Sequence, residues 1–201
     1  MLWRKSSPSA IPPHAQGRGF LAEVSMKPLE KIETERLILR KPRIDDAPAV
    51  FAGWVQDPEV THFLTWRPHE NIGQTESMLA RAISAWEGDV RFLFMIALKN
   101  DDLIGKIELR IEGHRVELGY VMNKAYQGKG YMTEAARAII DWAFQQPNIY
   151  RVFATTGVDN VASQRVMEKV GMLREGLLRK YIIHPNISDE PRDSYIYAIV
   201  K

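Results

Sequence analysis

Residues 115–145 read RVELGYVMNKAYQGKGYMTEAARAIIDWAFQ, a succession of strand, glycine-rich loop and long helix. Apolar residues alternate from 116 to 122 and then recur at helical spacing from Met132 to Ala143. The loop between them is Gln127-Gly128-Lys129-Gly130-Tyr131-Met132. Glycines let the backbone turn tightly, and the free amides and dipole of a helix start favour an anion. The stretch therefore predicts a pyrophosphate-binding loop, with an ordinary strand-to-helix turn as the alternative.

The loop matches neither of two common nucleotide-binding patterns. It lacks Gly-x-x-x-x-Gly-Lys-Ser/Thr, so cleavage of a nucleoside triphosphate is not indicated. It also lacks the Gly-x-Gly-x-x-Gly pattern of dinucleotide-binding folds.

Outward from this stretch the patterns predict one α+β domain. In residues 103–111 apolar residues alternate with Lys106, Glu108 and Arg110, which is typical of a half-exposed antiparallel strand. The predicted strands form a mixed, mostly antiparallel sheet flanked by helices. Strands are expected near 36–40, 91–98, 103–111, 115–122, 151–156, 172–183 and 193–200, and helices near 47–55, 78–86, 131–146 and 160–170.

Composition bounds the class of protein. The 201 residues are 45% hydrophobic and 26% charged, enough for one core, and no apolar run approaches the roughly 18 residues of a membrane helix. Cysteine is absent, which excludes disulfides and thiolate chemistry and agrees with a cytoplasmic location. The formal charge of +2 belongs to residues 1–26, so a nucleic-acid surface is not indicated. No histidines have zinc-ligand spacing, and no metal is expected.

Residues 1–26 are predicted to form a flexible N-terminal extension, and residues 27–201 a single domain. Proline, serine and glycine interrupt the extension, which shows neither strand nor helix periodicity. They also interrupt any apolar stretch of the length that a secretory signal requires.

The loop and its surroundings resemble the GNAT superfamily of acyl-CoA-dependent N-acetyltransferases. The pyrophosphate loop of that family reads Gln/Arg-x-x-Gly-x-Gly/Ala, and Gln127, Gly130 and Met132 stand at its defining positions. Met132 replaces the usual small residue. The order of strands and helices over about 32–200 also agrees with the family. The segments TERLILR at 34–40, ELGY at 117–120 and TEA at 133–135 resemble the RimJ/RimL-like branch, named for enzymes that acetylate ribosomal-protein N-termini.

The resemblance implies that acetyl-CoA is the co-substrate. The implied donor site combines the strand before the loop, the loop itself and one residue of the next helix. For Lys129, a phosphate contact and a solvated lysine are equally expected. The side chain of Met132 is expected to lie close to the phosphates. The implied residues are Tyr120, Val121, Met122, Gln127, Gly128, Lys129, Gly130, Tyr131, Met132 and Asn160.

Acetyl transfer to an amine also requires groups that move protons. Glu117, on the strand before the loop, is the candidate general base if it is buried, and a glutamate in a structural ion pair is the alternative. Where relatives carry a tyrosine general acid, this chain has Met167. Ser163 and Asn160 are then the candidates to form a hydrogen bond with the leaving thiolate or the cofactor, with protonation of the thiolate by water as the alternative. Helix capping explains Ser163 and Asn160 equally well.

The acceptor site is expected in the loop between the first two helices. Trp66 and His69 are the candidate contacts, with a packing role for Trp66 and a turn role for His69 as the alternatives. The expected acceptor is a protein N-terminal amine or a small amine. A polyamine or antibiotic acetyltransferase and a non-catalytic acyl-CoA-binding module are the alternative functions. The sequence leaves open whether the protein is a monomer or a homodimer.

Overall fold

A computed structural model describes residues 30–88 and 90–201, and the predicted extension at 1–26 lies outside them. Eight strands are present in these residues: β1 (Lys31–Glu33), β2 (Leu37–Arg40), β3 (Arg91–Leu98), β4 (Leu103–Glu112), β5 (Arg115–Met122), β6 (Arg151–Gly157), β7 (Leu173–Ile182) and β8 (Arg192–Val200). They form one sheet in the order β1-β2-β3-β4-β5-β6-β8-β7. Neighbouring strands are antiparallel except β5 and β6, which are parallel.

Five α-helices accompany the sheet: α1 (Ala47–Val50), α2 (Pro58–Thr61), α3 (Ile72–Ala85), α4 (Tyr131–Gln145) and α5 (Val161–Lys169). A π-helical turn over Phe51–Val55 continues α1, so the predicted helix at 47–55 is present in irregular form. α3 begins earlier than predicted, because the side chain of Asn71 accepts a hydrogen bond from the Gln74 amide and caps it. Within the described residues, no helix has the length and apolarity needed to cross a bilayer.

The sheet is covered on both faces. On one face Phe92, Phe94 and Leu109 pack with residues of α4 such as Ile139 and Trp142. On the other face Leu93, Met95 and Val121 pack with residues of α1, its π-helical continuation and α3, namely Val50, Trp54 and Leu79. The prediction of a mixed, mostly antiparallel sheet flanked by helices is confirmed. β1 and α2 were not predicted, since three or four residues are too few to show a period.

The predicted exposure of β4 is wrong for one side chain. Lys106 is only 9% exposed, although the alternating pattern placed it on a half-exposed face. The reason is the second helical layer: α3 and the loop that precedes it cover the polar face of β4 at this point. The charged side chains of that face therefore border an enclosed space.

Candidate active site

β5 and β6 run side by side for three residues and then part. The last residues that they pair are Glu117 and Phe153. Beyond this point β5 keeps β4 as its neighbour, and β6 stays paired with β8 as far as Gly157. The backbone of residues 118–122 therefore borders an opening in the sheet. An extended ligand can pair with such a free edge as an added strand.

The loop after β5 prepares an anion site at the start of α4. Gly128 and Gly130 have φ angles of 75° and 82°, in the left-handed region. α4 begins after Gly130 without a side-chain cap, and the amides of residues 131–133 find no acceptor among the described residues. A Cβ at Gly128 would meet no atom within 4 Å, so the backbone is open to a ligand there. Free amides and the helix dipole together favour a phosphate group.

Two side chains hold this loop in place. Gln127 Nε2 donates a hydrogen bond to the carbonyl oxygen of Met122 at 3.0 Å. Arg36 Nη1 donates to the carbonyl oxygen of Lys129 at 3.1 Å, and the Arg36 guanidinium lies 4.6 Å from the centre of the Tyr131 ring. Both contacts fix the loop backbone, and neither uses the free amides.

The side chains of Lys129 and Met132 differ in their surroundings. Lys129 is exposed, and its Nζ lies 5.3 Å from the centre of the Tyr126 ring, a position compatible with both expectations for it. Met132 is 7% exposed and packs in the core between α4 and the sheet. This side chain was expected close to the phosphates, and the first turn of α4 directs it into the core. Only the Met132 amide remains at the loop.

Glu134, in the first turn of α4, attaches the turn between β1 and β2 to the loop. Its Oε1 accepts hydrogen bonds from Thr34 Oγ1 at 2.6 Å and from the Arg36 amide at 3.0 Å, and its Oε2 accepts from Arg36 Nε at 2.6 Å. Desolvation raises the pKa of Glu134, but the hydrogen bonds from Thr34 and Arg36 outweigh it, so the pKa lies below its usual value. These residues belong to the segments TERLILR and TEA, and no local pattern in the sequence predicts that the two segments meet.

A cavity of about 620 Å³ lies beside the parting strands. Its walls are the polar face of β4 and β5, α3, the loop at 63–66 and the end of β6. The predicted residues of the phosphate loop, with Val121 and Met122, are not part of its lining. Six residues that the sequence analysis singled out for catalysis, cofactor binding or acceptor binding line it together: Trp66, His69, Glu117, Tyr120, Asn160 and Ser163.

Both carboxylates that line the cavity are paired with arginines. Arg110 Nη1 donates to Glu117 Oε2 at 3.1 Å, across from it on β4, and the Glu117 side chain is 27% exposed. Glu108, on the same face of β4, pairs with Arg91. Glu117 was expected to be buried, with a structural ion pair as the alternative. It is only partly buried, and the ion pair with Arg110 is present. That pair holds the carboxylate at the cavity wall.

Three polar residues join β5 to α5 at the opening. The hydroxyls of Tyr120 and Ser163 are 2.9 Å apart, and the Tyr120 hydroxyl also donates to the Ser163 carbonyl oxygen at 3.2 Å. Burial raises the pKa of Tyr120 to about 12, although the hydrogen bond with Ser163 opposes this shift. Asn160 Oδ1 accepts from the Ser163 amide at 3.1 Å and caps α5. Asn160 is thus a capping residue, and the hydroxyl of Ser163 is not used for capping.

The predicted acceptor residues lie where α3 meets the cavity. The rings of Trp66 and His69 are 5.3 Å apart, and His69 Nδ1 lies 2.8 Å from Thr75 Oγ1. Burial lowers the pKa of His69, and the nearby charges of Lys106 and Arg81 lower it further. Lys106, which the sequence analysis did not assign to the site, also lines the cavity.

The opposite wall carries polar atoms that have no partner. His184 is 5% exposed, and neither of its ring nitrogens forms a hydrogen bond with a described residue. The fully buried Oγ of Ser194 also forms no hydrogen bond with a described residue. Burial lowers the pKa of His184, so its ring is neutral at pH 7. The two loops that border the cavity are joined, because Asn186 Nδ2 donates to the carbonyl oxygens of Thr61 at 2.7 Å and of Trp66 at 2.8 Å.

The geometry suits a ligand that combines an extended arm with a phosphate group, next to a cavity for a second reactant. The opening along β5 and the uncapped start of α4 would hold the first, and the 620 Å³ cavity would hold the second. Among residues 30–88 and 90–201, no group of three or more His, Asp or Glu side chains is arranged to hold a metal ion.

Comparisons with known proteins agree with this geometry. The acetyltransferase (GNAT) domain family matches residues 36–173. The N-acetyltransferase YnaD of Bacillus subtilis (strain 168) is 36% identical over 173 residues, which cover 85% of this chain and 96% of YnaD. The ribosomal-protein-serine acetyltransferase of Escherichia coli (strain K12) is 35% identical over 91 residues, or 44% of this chain and 50% of that protein.

One solved structure illustrates the likeness of fold. RimL, a ribosomal L7/L12 α-N-protein acetyltransferase in complex with coenzyme A, has a TM-score of 0.77 and covers 85% of this chain and 98% of its own. Its sequence identity is 21%, so the likeness concerns the fold.

Proposed function

This chain belongs to the GNAT family of N-acetyltransferases, with ribosomal-protein acetyltransferases of the RimJ/RimL-like branch among its relatives, and from that premise we propose that it transfers the acetyl group of acetyl-CoA to a protein N-terminal amine or a small amine. The observation that carries the proposal is the parting of β5 and β6 beside an uncapped helix start. These two features offer places for the pantetheine arm and for the pyrophosphate of an acyl-CoA.

The residues present fit acetyl-CoA. The amides of 128–132 would hold the pyrophosphate, since the backbone at Gly128 is open and the helix start lacks a cap. The backbone of Tyr120, Val121 and Met122 borders the opening and would pair with the pantetheine arm. When bound, acetyl-CoA supplies a thioester whose carbonyl carbon an amine attacks. Asn160 lies at the wall of the cavity where this carbon and the amine would meet.

Glu117 is the group that we propose to take the proton of the incoming amine, directly or through a water molecule. An amine is nucleophilic only when neutral, so a protonated acceptor must lose a proton before or during attack. Glu117 lines the cavity at the last position where β5 and β6 pair, which is the point of the opening. Arg110 fixes the position of its carboxylate.

Ser163 is the group that we propose to donate a hydrogen bond to the leaving thiolate. Its hydroxyl is within 2.9 Å of the Tyr120 hydroxyl, which is protonated at neutral pH and whose pKa burial raises further, to about 12. The single proton of Tyr120 reaches either the carbonyl oxygen or the Oγ of Ser163, and in this proposal it turns to the Oγ when Ser163 donates its own proton to the thiolate. Met167, at the position where relatives carry a tyrosine, is 1% exposed within the core and has no proton to give.

The two alternative functions receive less support. A polyamine acceptor would need free carboxylates, but Glu108 and Glu117 of the cavity wall each pair with an arginine. A non-catalytic acyl-CoA-binding module would be supported by a phosphate loop blocked by Met132 and by the lack of a tyrosine at Met167. The Met132 side chain packs in the core and leaves the loop open, so the lack of a tyrosine at Met167 is the remaining support for this alternative.

The test is thiol release from acetyl-CoA with a panel of N-terminally free peptides and small amines at neutral and mildly alkaline pH. We expect release that depends on the amine, with a product heavier by one acetyl group in mass spectrometry. Reactions without amine give the background of simple hydrolysis. Protein that is folded and binds acetyl-CoA, yet releases no thiol with any amine of the panel, would refute the proposal.

A further inference from the structure

Lys106 is enclosed by apolar groups at the cavity. On β4 its register partners are Met95 of β3 and Val121 of β5, both buried. Its Nζ lies 3.8 Å from Sδ of Met78 in α3 and 5.7 Å from the centre of the Trp66 ring. The residue is 9% exposed, and it lines the cavity.

This lysine has no counter-ion among the described residues. Glu108 and Glu117, which share its face of the sheet, already pair with Arg91 and Arg110. The Met78 thioether is a weak acceptor, and an aromatic ring attracts a cation only modestly. Burial lowers the pKa of Lys106, as does the charge of Arg91, while Glu108 opposes the shift. A buried ammonium usually has an anionic partner, because its desolvation is otherwise uncompensated.

A second unpaired cation lies near the first. Arg81, an exposed residue of α3, lines the same cavity and forms no ion pair with any described carboxylate. His69 lies close to both, since the charges of Lys106 and Arg81 each lower its pKa. The α3 side of the cavity therefore has one buried and one exposed basic side chain, neither of which forms an ion pair with a described carboxylate.

We propose that Lys106, assisted by Arg81, binds an anionic group of the acceptor, so that the acceptor is an amine that also bears a carboxylate or a phosphate. The inference rests on the proposed function and narrows it. An anion held between Lys106 and Arg81 would complete the ion pair that the protein leaves unmade and would place the amine on the Glu117 side of the cavity. A purely cationic amine would be repelled by the same two charges.

The test compares matched acceptors. Two pairs test the carboxylate: β-alanine against β-alaninamide, and the peptide amide Ser-Asp-Ala against the peptide amide Ser-Asn-Ala. A third pair, 2-aminoethyl phosphate against β-alanine, separates phosphate from carboxylate. Each is measured for kcat/KM in thiol release and, without acetyl-CoA, for Kd by calorimetry. We expect the wild type to prefer the anionic acceptor over its amide in at least one pair, or the phosphate over the carboxylate, by about tenfold or more in Kd and kcat/KM. The reason is that an ionic hydrogen bond in an enclosed site is strong.

Lys106→Met and Lys106→Arg distinguish recognition from other roles. Lys106→Met should reduce the preference to about twofold or less, and Lys106→Arg should retain most of it. The control is Lys99→Met, which removes an exposed lysine paired with Glu33 and should keep the wild-type preference. Thermal unfolding identifies variants that do not fold.

The outcomes distinguish failure of the anion site from failure of the proposed function. Equal losses in Lys106→Met for the acceptors with and without the anionic group would overturn the inference, because Lys106 would then act as a base or a packing residue. A wild type without any preference would overturn it as well. Tighter binding of the anionic probes that disappears in Lys106→Met, in a protein that transfers no acetyl group, would support the anion site and refute the proposed function.

Discussion

The hydroxyl oxygens of Tyr120 and Ser163 lie 2.9 Å apart and connect β5 to α5 across the opening where β5 and β6 part. Each belongs to a different side of that opening, so the pair sits at the place where the thioester would react. In our account Tyr120 orients the hydroxyl of Ser163, which contacts the leaving thiolate. This relationship gives the first prediction.

Tyr120→Phe removes the partner of the Ser163 hydroxyl without changing the shape of the ring. We expect kcat to fall by about tenfold, less than the roughly hundredfold or more of a direct proton donor because Tyr120 acts through Ser163, with the Kd for acetyl-CoA within about twofold of wild type. Ser163→Ala should have a similar effect, and the double variant should be little worse than either single one. Tyr150→Phe, at a 55% exposed tyrosine, is the control. Wild-type turnover in both Tyr120→Phe and Ser163→Ala would restrict the pair to a structural role.

Tyr120 also gives a pH prediction. Burial raises its pKa to about 12, so the native protein keeps this proton at pH values where the unfolded chain, with an ordinary pKa of about 10, has lost it. The corresponding stability is complete below about pH 10 and is lost as the pH rises toward 12. Absorbance titration of phenolate should show a late component from two tyrosines, because burial and the charge of Glu168 also raise the pKa of Tyr197. Tyr120→Phe should reduce the amplitude of this component, and an undiminished amplitude in the variant would contradict the shift.

Glu117→Gln removes the proposed base and keeps the side chain's size. We expect kcat to fall by about a hundredfold or more, with acetyl-CoA affinity unchanged, because the substituted group lies on the acceptor side of the opening. The matched control is Glu112→Gln, whose carboxylate also pairs with an arginine, Arg115 at 2.8 Å, in the exposed turn between β4 and β5. A fall of less than about threefold in Glu117→Gln would leave Glu117 as the ion-pair partner of Arg110 alone.

Glu134→Gln should loosen the attachment of the β1–β2 turn to the phosphate loop. The pKa of Glu134 lies below its usual value, so its contribution to stability is present at neutral pH and is lost as the pH falls through the lowered pKa. We expect a loss of about 1 kcal/mol at pH 7, a modest value because Arg36 is partly exposed, and a smaller difference from wild type in acid. Urea unfolding at the two pH values measures both. A destabilisation that does not change with pH would contradict the electrostatic explanation.

Local patterns predicted the elements that form the proposed acyl-CoA site. Each of three patterns is visible within about twenty residues: the alternation in 115–122, the glycines of the loop, and the helical spacing from Met132 to Ala143. The structure has β5, a loop whose glycines have left-handed φ angles, and α4 at these places. The expected acceptor contacts, Trp66 and His69, stand together in one polar loop, and both line the cavity.

Contacts between distant segments could not be predicted in this way. Thr34 and Glu134 are 100 residues apart, and no periodicity relates them. The burial of Lys106 depends on α3 packing over a strand whose alternation is that of a half-exposed one. Met132 was expected at the phosphates because it stands at a loop position of the family motif, but its side-chain direction is set by the first turn of α4.

The central claim, an acyl-CoA site at the start of α4, is tested most directly by calorimetric titration of acetyl-CoA into the wild type, Gly130→Ala and Gly113→Ala. Both glycines have left-handed φ angles, 82° and 61°, so both substitutions carry a similar conformational strain, but Gly113 lies in the remote turn between β4 and β5. We predict wild-type affinity in Gly113→Ala and an affinity weaker by about tenfold in Gly130→Ala, because the strained loop can no longer present its amides. Equal affinity in the two variants, or no binding by the folded wild type, would contradict the account.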